Sequence, residues 1–248
     1  MTEIVIPSSV QTVGERCFEF CSDLTKATVD AASLGMWAFE ECDNLKAIYF
    51  GKNIRTIGRS IGNYDFNLTE LHLESLESWL TATLGDCFGG PFAGFATSGG
   101  NSPMIDFYVG DEKLTSVNID FGTMSKVNDN AFQCMTIEEA TIGGSVVEIG
   151  NNAFCCCANL TKVSFTDMTT KSGDSALSGC SQLTSNVLPP RVMSIGWSAY
   201  SDTPIKELAI PNTLTEIGAR AFSGCKSLES VTFDDGCLLT YISEMAFL

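Results

Sequence analysis

A repeat of about 22 residues runs through the chain and constrains the fold more than any other feature. Three segments align almost letter for letter, at residues 10–29, 146–165 and 214–233. Their shared pattern reads V-x-x-I-G-x-x-A-F-x-x-C-x-x-L-x-x-I-x-I. The glycine position of this pattern is occupied, along the chain, by Gly14, Gly35, Gly58, Asn128, Gly150, Gly173, Gly196, Gly218 and Ser243. A repeat of this length is typical of solenoids, in which stacked repeats share one core that no single repeat could form.

Each repeat contains two extended pieces and a turn. The L-x-x-I-x-I piece alternates apolar and polar residues, which predicts a strand with one buried face. The predicted strand cores are Ala27–Val29, Ile48–Phe50, Leu71–Leu73, Val117–Ile119, Ala140–Ile142, Val163–Phe165, Asn186–Leu188, Leu208–Ile210 and Val231–Phe233. The V-x-x-I-G piece predicts a second, shorter strand that ends at a glycine able to adopt positive φ. The A-F-x-x-C piece fits a tight turn or a single helical turn with its Phe and Cys buried.

The composition disfavours several classes of function. Acidic residues number 30 against 14 basic ones, and a net charge of −16 repels phosphate backbones and anionic lipid surfaces. The apolar runs are too short to cross a bilayer, so we expect no membrane insertion of this chain. His72 is the single histidine, which disfavours Ser-His-Asp and Cys-His catalysis and multi-histidine metal sites.

The repeat resembles the BspA-like, or Treponema pallidum type, class of leucine-rich repeats. The resemblance covers almost the whole chain and is close at 146–165 and 201–233. It implies an α/β-type, strand-dominated leucine-rich repeat fold. This would be a right-handed curved solenoid with a parallel concave β-sheet, short second strands, and single helical turns on the other side. We therefore expect residues 1–248 to form a single solenoid of about ten repeats.

Residues 74–113 do not follow the repeat and are predicted to be an insertion within the solenoid. The segment begins with S-L-E-S-W at 75–79, and the family often carries a similar insertion followed by a short hairpin-like return. Phe88, Phe92 and Phe95 lie in the insertion. They either fold back over the solenoid or form an exposed contact patch. We also expect local distortion in the repeats of Gly58 and Gly173, which lack the Ala-Phe pair.

Cysteine recurs at one position of the repeat. This predicted cysteine ladder comprises Cys21, Cys42, Cys134, Cys157, Cys180 and Cys225. Cysteine is small and readily buried, so we interpret the ladder as reduced, buried thiols. Stacked cysteines would also lie within disulfide or thiolate-metal range, which leaves those two alternatives open. No metal or cofactor is predicted, because zinc-type spacing and calcium-loop motifs are both lacking.

The outward face of the predicted strands is the candidate binding surface. Its central positions are mostly small, with Tyr49 and His72 as the exceptions on adjacent strands. Glu70 and Glu74 should flank His72, and Asn118 occupies the same central position in a later repeat. An aromatic ring beside a histidine between carboxylates could anchor a peptide or a glycan. The alternative interpretation is a solvated cross-strand pair without a special role.

The favoured function is non-enzymatic protein binding. The resemblance implies a cell-surface or secreted bacterial protein that adheres to partner proteins, such as host extracellular matrix or cell-surface proteins, through its concave sheet. The alternatives are an intracellular scaffold for protein–protein interaction and a glycan-binding surface. The first residues show no signal peptide, and both ends fall inside a repeat, which favours a fragment of a longer protein.

Overall fold

A computed structural model describes residues 1–61, 67–85, 104–122, 124–165, 168–184 and 188–248. The chain divides into two compact units, Met1–Leu114 and Thr115–Leu248. In each unit the repeats stack as rungs of a parallel β-solenoid. A four-residue strand from each repeat contributes to a main sheet, and a two-residue strand contributes to a second sheet. The predicted strand-dominated repeat fold is therefore confirmed, whereas its handedness and curvature stay predictions.

The first unit contains one main sheet and one second sheet. The main sheet has the order β1-β3-β5-β7-β9-β10, and the second sheet has the order β2-β4-β6-β8. The main-sheet strands are β1 (Glu3–Ile6), β3 (Lys26–Val29), β5 (Ala47–Phe50), β7 (Glu70–Leu73), β9 (Asp106–Val109) and β10 (Glu112–Lys113). The second-sheet strands are β2 (Thr12–Val13), β4 (Ser33–Leu34), β6 (Thr56–Ile57) and β8 (Thr83–Leu84). All pairings are parallel except that of β10 with β9.

The second unit repeats this plan. Its main-sheet strands pair in the orders β11-β13-β15 and β18-β20, and its second sheet has the order β12-β14-β16-β17-β19-β21. The main-sheet strands are β11 (Ser116–Ile119), β13 (Glu139–Ile142), β15 (Lys162–Phe165), β18 (Glu207–Ile210) and β20 (Ser230–Phe233). The second-sheet strands are β12 (Lys126–Val127), β14 (Glu148–Ile149), β16 (Lys171–Ser172), β17 (Ser194–Ile195), β19 (Glu216–Ile217) and β21 (Tyr241–Ile242).

The eight predicted strand cores that lie wholly within the described residues are confirmed. In Asn186–Leu188 the first two residues lie outside the described part, and Leu188 is buried. Rungs pair residue for residue, so that Ile48 lies opposite Leu71 and the next position, Tyr49, lies opposite His72. Because strand side chains alternate between faces, this register sends one column into the core and the next column outward.

The A-F-x-x-C segment forms successive turns on a third side of each rung. Hydrogen bonds between residues three apart close these turns, as from the Cys21 amide to the Phe18 carbonyl at 3.2 Å. Other bonds join neighbouring rungs, as from the Phe18 amide to the Ala38 carbonyl at 2.9 Å. The repeat aromatics stack on one another, as Phe18 does on Phe39 with ring centroids 5.4 Å apart. The only helix within the described residues is α1, Leu76–Thr81, so the predicted single helical turns stay unconfirmed.

The repeat glycine has a different role from the one predicted. Its φ is not positive in any of the stacked rungs. A Cβ atom on Gly58, for example, would lie 2.5 Å from the Met36 nitrogen and 2.6 Å from the Gly35 carbonyl carbon. Glycine is therefore required because neighbouring backbones approach too closely for any side chain. The positive φ angles lie two and six residues further on, as at Arg16 (55°) and Phe20 (60°).

Part of the segment predicted to be an insertion continues both sheets. Strand β8 pairs with β6, and Gly85 takes the repeat-glycine position above Gly58. After the gap in the described residues, β9 pairs with β7 in the main sheet, and β10 returns antiparallel as the expected hairpin. Helix α1 places Trp79 in the core against Phe50 and Phe107. The insertion's phenylalanines lie outside the described residues: Phe88, Phe92 and Phe95.

Candidate functional site

Three aromatic side chains stack in a continuous column on the outward face of the first unit's main sheet. Tyr49 of β5 packs on His72 of β7 with ring centroids 4.0 Å apart and planes within 10°. His72 packs in turn on Tyr108 of β9, at 4.3 Å and 8°. The parallel register aligns these residues, because equivalent positions on neighbouring strands point the same way. We call Tyr49, His72 and Tyr108 the aromatic column.

Lysines flank both ends of the aromatic column. The Lys26 ammonium lies over the Tyr49 ring at 4.2 Å from its centroid, a cation–π contact. At the other end, Lys113 of β10 lies opposite Tyr108 in the antiparallel pair. Its Nζ atom is 2.7 Å from Oδ1 of Asp106. Both faces of the Tyr49 ring and both faces of the imidazole are therefore already in contact with the protein.

The orientation of His72 is set by a carboxylate on its own strand. Its Nε2 atom lies 3.0 Å from Oε2 of Glu70. Nδ1 is buried and has no hydrogen-bond partner among the described residues. In the tautomer that donates from Nε2 to Glu70, Nδ1 carries no hydrogen and stays without a donor from the described part of the chain. Only 12% of the His72 side chain is exposed, so the ring acts mainly as a spacer between two tyrosines.

The structure brings together three of the five predicted site residues. Tyr49, His72 and Glu70 form one cluster, as the strand spacing suggested. Glu74 instead contacts Lys52, whose backbone nitrogen lies 3.2 Å from its Oε2 and whose ammonium lies 3.5 Å from its Oε1. Asn118 lies on β11 in the second unit, where it pairs with Thr141.

Tyr108 is the site residue that sequence reasoning missed. It falls in the segment predicted to be an insertion, far from the interval at which the next repeat was expected. The signal was nevertheless present in Ile105-Asp106-Phe107-Tyr108-Val109, which alternates as the other strands do and ends at a glycine. Phe107 is fully buried, which leaves Tyr108 on the outward face.

The described outward face of the second unit, which leaves out residues 166–167 and 185–187, lacks such a column. Asn118, Thr141 and Ser164 follow one another across β11, β13 and β15. These small polar side chains leave a shallow surface. A shallow hollow on β18 and β20 is lined by Lys206, Glu207, Ala209, Ser230 and Thr232. The aromatic column is therefore the more distinctive feature of the described outward faces.

The cysteine ladder has a structural role in the described rungs. Four of its thiols each lie within hydrogen-bond distance of the carbonyl at the aromatic position one rung earlier. The pairs are Cys42 with Phe18 (3.1 Å), Cys157 with Phe132 (2.9 Å), Cys180 with Phe154 (3.1 Å) and Cys225 with Tyr200 (3.2 Å). Thr203 takes the cysteine position of its repeat, and its hydroxyl donates to the Tyr200 carbonyl at 2.7 Å. Tyr200 belongs to the same rung as Thr203, so this hydroxyl closes its own turn, whereas the four thiols reach the preceding rung.

The prediction that Cys134 belongs to the cysteine ladder is wrong. Cys134 lies two residues after its repeat aromatic Phe132, one short of the ladder position, and Met135 fills the core there. The remaining ladder cysteines beyond the first rung are buried. All ten cysteines of the described residues are free. Burial raises the pKa of Cys157 to about 12, as expected for a thiol that stays neutral.

Neither metal ligation nor membrane insertion is visible in the described part of the chain. No group of three or more His, Cys, Asp or Glu side chains there has the arrangement of a metal site. The one helix within those residues, α1, is six residues long. No described helix has the length and apolar character needed to cross a membrane.

The fold and its outward column define a repeat protein of the parallel β-solenoid class. The model of the BspA-type leucine-rich repeat region matches residues 1–88, 106–229 and 193–248, in six copies. The chain therefore belongs to the BspA-type leucine-rich repeat family, as its sequence pattern predicted. None of the curated proteins matches it.

Solved structures of bacterial repeat proteins share this fold. The pneumococcal vaccine antigen PcpA is 17% identical with a TM-score of 0.61, covering 98% of this chain and 63% of that one. A leucine-rich repeat protein from Eubacterium ventriosum is 17% identical with a TM-score of 0.55, covering 94% and 72%. A leucine-rich cell surface protein from Faecalibacterium prausnitzii is 17% identical with a TM-score of 0.51, covering 94% and 79%.

Proposed function

We propose that this chain is a non-enzymatic protein-binding module that engages its partner through the aromatic column and the charged side chains around it. The observation that carries the proposal is the continuous stack of Tyr49, His72 and Tyr108 on an outward sheet face. Aromatic side chains held rigidly at a surface bind partners at low cost in conformational entropy, and they are enriched at interaction hot spots. Family membership supports the same class of function, because stacked repeats provide extended binding surfaces.

The geometry favours a peptide or protein surface over a glycan. A sugar binds aromatic residues through contact with the ring face. Here the faces of Tyr49 are covered by Lys26 and His72, and those of His72 by the two tyrosines. Apart from the second face of Tyr108, the column therefore offers ring edges and phenolic hydroxyls. Those groups suit hydrogen bonds and edge-on packing with amide groups and side chains.

The charges around the column support a partner with groups of both signs. Glu70 and Asp106 are neighbours in register on β7 and β9, and Lys26 and Lys113 lie at the two ends. One ion pair joins Asp106 and Lys113 before any partner arrives, which lowers the cost of ordering on binding. The net charge of −16 would add attraction for basic partners at long range.

The arrangement around His72 supports a non-enzymatic role. Within the described residues, one imidazole nitrogen is engaged by Glu70 and the other is buried. The ring therefore has no nitrogen free for a substrate proton. A sheet face also excludes water poorly, which weakens any electrostatic stabilisation of a transition state.

We propose a cell-surface or secreted location for this protein. The support is membership of a repeat family whose structural relatives include a leucine-rich cell surface protein and a vaccine antigen. The proposed partners are accordingly extracellular proteins, among them components of the host extracellular matrix. The proposed mechanism is surface complementarity summed over many weak contacts along the sheet.

The test is binding of the full chain to an immobilised panel of extracellular matrix proteins, with a glycan array in parallel. We expect binding to at least one matrix protein. His72→Ala and Tyr108→Ala should each weaken it by about tenfold or more, as hot-spot residues do. Thr141→Ala, on the outward face of the second unit, is the matched control and should bind like the unaltered chain.

Circular dichroism and urea unfolding would verify that each variant is folded. Absence of binding across the whole panel by a folded chain would refute protein binding of this kind. Binding that is equally strong in all three variants would remove the aromatic column from the interface. A signal confined to the glycan array would replace the proposal by its alternative.

A further inference from the structure

Three thiols meet on the turn side of the second unit, away from the cysteine ladder. Cys134 lies two residues after Phe132, and Cys156 lies two residues after Phe154, so they occupy equivalent positions of adjacent rungs. Cys155 precedes Cys156 in the chain, and their sulfur atoms are 3.6 Å apart. We call Cys134, Cys155 and Cys156 the thiol cluster.

The backbone brings Cys134 and Cys156 into parallel orientation. Both residues adopt the left-handed conformation, with φ of 59° and 60°. The Cys134 amide donates to the Cys155 carbonyl at 2.9 Å, which joins the two rungs at this point. The two residues lie in turns of hydrogen-bonded neighbouring rungs, which are stacked at the spacing of sheet strands, about 4.8 Å. A disulfide bridges Cα atoms separated by about 4.4–6.8 Å, so the spacing suits a bond between the two rungs.

Access differs between the three thiols. Cys134 is buried, whereas Cys155 and Cys156 are half-exposed. On the next rung, the position equivalent to Cys156 is Gly179, where an added Cβ would lie 3.3 Å from the Cys156 sulfur. The glycine leaves that sulfur uncovered on this side. A reagent from solvent therefore reaches Cys156 before it reaches Cys134.

Contacts within the cluster also make the thiols unequal in acidity. Two hydrogen bonds hold the pKa of Cys156 below its ordinary value, the larger effect coming from Cys134 and the smaller from Cys155. The hydrogen bond to Cys156, followed by burial, raises the pKa of Cys134 and that of Cys155. Cys156 therefore ionises first, and a thiolate is the nucleophile in thiol chemistry.

We propose that the thiol cluster is a thiol–disulfide exchange site, with Cys156 as the attacking residue and Cys134 as the resolving residue, for small disulfides of low charge. The Cys156 thiolate attacks one sulfur of the external disulfide R–S–S–R. A Cys156–S–S–R bond forms, the external S–S bond breaks, and RS⁻ leaves and takes a proton from water. Cys134 then attacks the Cys156 sulfur, loses its proton to solvent, and releases the second RS⁻.

The sum of the two steps balances in atoms and electrons. Two protein thiols are oxidised to one Cys134–Cys156 disulfide, and one external disulfide is reduced to two thiols. The oxidised product joins two adjacent rungs covalently. Metal binding is not the function favoured here, because the three sulfurs lack the arrangement of a metal site within the described residues. The ladder thiols of the second unit, Cys157, Cys180 and Cys225, do not compete, because they are buried and directed at carbonyls.

The test uses the folded full chain with Cys17 and Cys237 replaced by serine, which reduces reaction elsewhere. The probe is hydroxyethyl disulfide at neutral pH, followed by intact mass measurement and non-reducing peptide mapping. We expect the loss of two hydrogen atoms and a cross-linked pair of peptides containing Cys134 and Cys156. Reaction at Cys156 should be about tenfold faster than at the ordinary cysteine of an unfolded peptide.

Single variants in that background separate the roles. Cys134→Ser should stop at a mixed disulfide on Cys156, and Cys156→Ser should leave the cluster unmodified over the same time. Cys225→Ser, a ladder variant, is the matched control and should form the cross-link at an unchanged rate. Each variant is verified as folded by circular dichroism before reaction.

Three results would overturn the proposal. The first is a cluster that reacts no faster than the unfolded peptide. The second is a stable mixed disulfide on Cys156 while Cys134 is present. The third is a cross-link that joins Cys155 rather than Cys134 to Cys156.

Discussion

A Cβ atom on Gly35 would lie 2.6 Å from the carbonyl carbon of Gly14, whereas a Cβ atom on Gly14 would meet nothing within 4 Å. The two residues occupy the same position of adjacent repeats. They differ because Gly35 has a rung stacked on that side and Gly14 does not. The repeat glycine is thus a consequence of stacking rather than of local backbone conformation.

This relationship predicts unequal effects of the same substitution. Gly35→Ala should lower the free energy of unfolding of the first unit by about 2–3 kcal/mol, because backbone atoms of the previous rung cannot move aside easily. Gly14→Ala should change it by less than about 0.5 kcal/mol. Urea unfolding followed by circular dichroism compares the two. Equal losses in both variants would mean that stacking does not explain the glycine.

The aromatic position of the Gly196 repeat offers a second test. Tyr200 is fully buried and stacks on Phe222 with ring centroids 5.4 Å apart. Its hydroxyl faces that of Ser172 without a well-aligned hydrogen bond. Tyr200→Phe should therefore change the free energy of unfolding by less than about 1 kcal/mol, because little hydrogen bonding is lost.

Tyr200→Ala is the contrasting variant in the same unfolding experiment. It removes the stacked ring and should cost about 3–5 kcal/mol. A cost above about 2 kcal/mol for Tyr200→Phe would instead show that the hydroxyl makes a strong hydrogen bond in the core.

Side-chain oxygens next to the repeat glycine form a third set of contacts between rungs. Oδ1 of Asn151 accepts the Asp174 amide at 2.9 Å, and Oδ1 of Asp174 accepts the Trp197 amide at 2.8 Å. Asp174→Ala should cost about 1 kcal/mol in the unfolding of the second unit, because the Trp197 amide loses its acceptor. Asp174→Asn should cost much less, since Asn151 already performs this role. The idea fails if both variants lose the same amount.

Buried thiols predict a loss of stability at alkaline pH. Burial raises the pKa of Cys157 from 9.0 to about 12 and also raises the pKa of Cys180. Between pH 9 and 12 the unfolded chain has released these protons while the folded chain retains them. Stability of the second unit must therefore fall as pH rises through this range, by up to about 1.4 kcal/mol per pH unit for each thiol.

Guanidinium unfolding in a reducing buffer at pH 8, 9 and 10 measures this slope. Cys157→Ser should show a shallower slope than the unaltered chain, because serine does not titrate in this range. Ionisation of lysines and tyrosines affects both proteins alike and cancels in the comparison. Identical slopes would show that the Cys157 thiol is not held neutral by the fold.

The repeat spacing was sufficient to predict the strands and the core. Alternation in Ile48-Tyr49-Phe50 identifies the buried and outward positions, and a period near 22 residues aligns them between rungs. The prediction of the stacked rungs was incomplete where a segment of the chain departed from the 22-residue repeat pattern. Gly85 and Tyr108 belong to the stack, but α1 and the residues between β8 and β9 interrupt the interval by which the other repeats were found.

The site was predicted only in part, for a related reason. Adjacent strands could be expected to place Tyr49 beside His72, because in-register pairing follows from the repeat. The third ring depends on the return of the chain to the main sheet at β9. The cations at the two ends and the pairing of Glu74 with Lys52 depend on side-chain rotamers.

The amino-acid sequence by itself determined that the chain stacks short strands in register, because each repeat has an apolar face too large to leave in water and too small to fold alone. The tertiary structure decided which residues of different repeats touch. It made the glycines necessary through the contact of one rung with the next, and it moved Cys134 from the ladder to the thiol cluster. These outcomes depend on distances between neighbouring rungs, which a linear pattern does not contain.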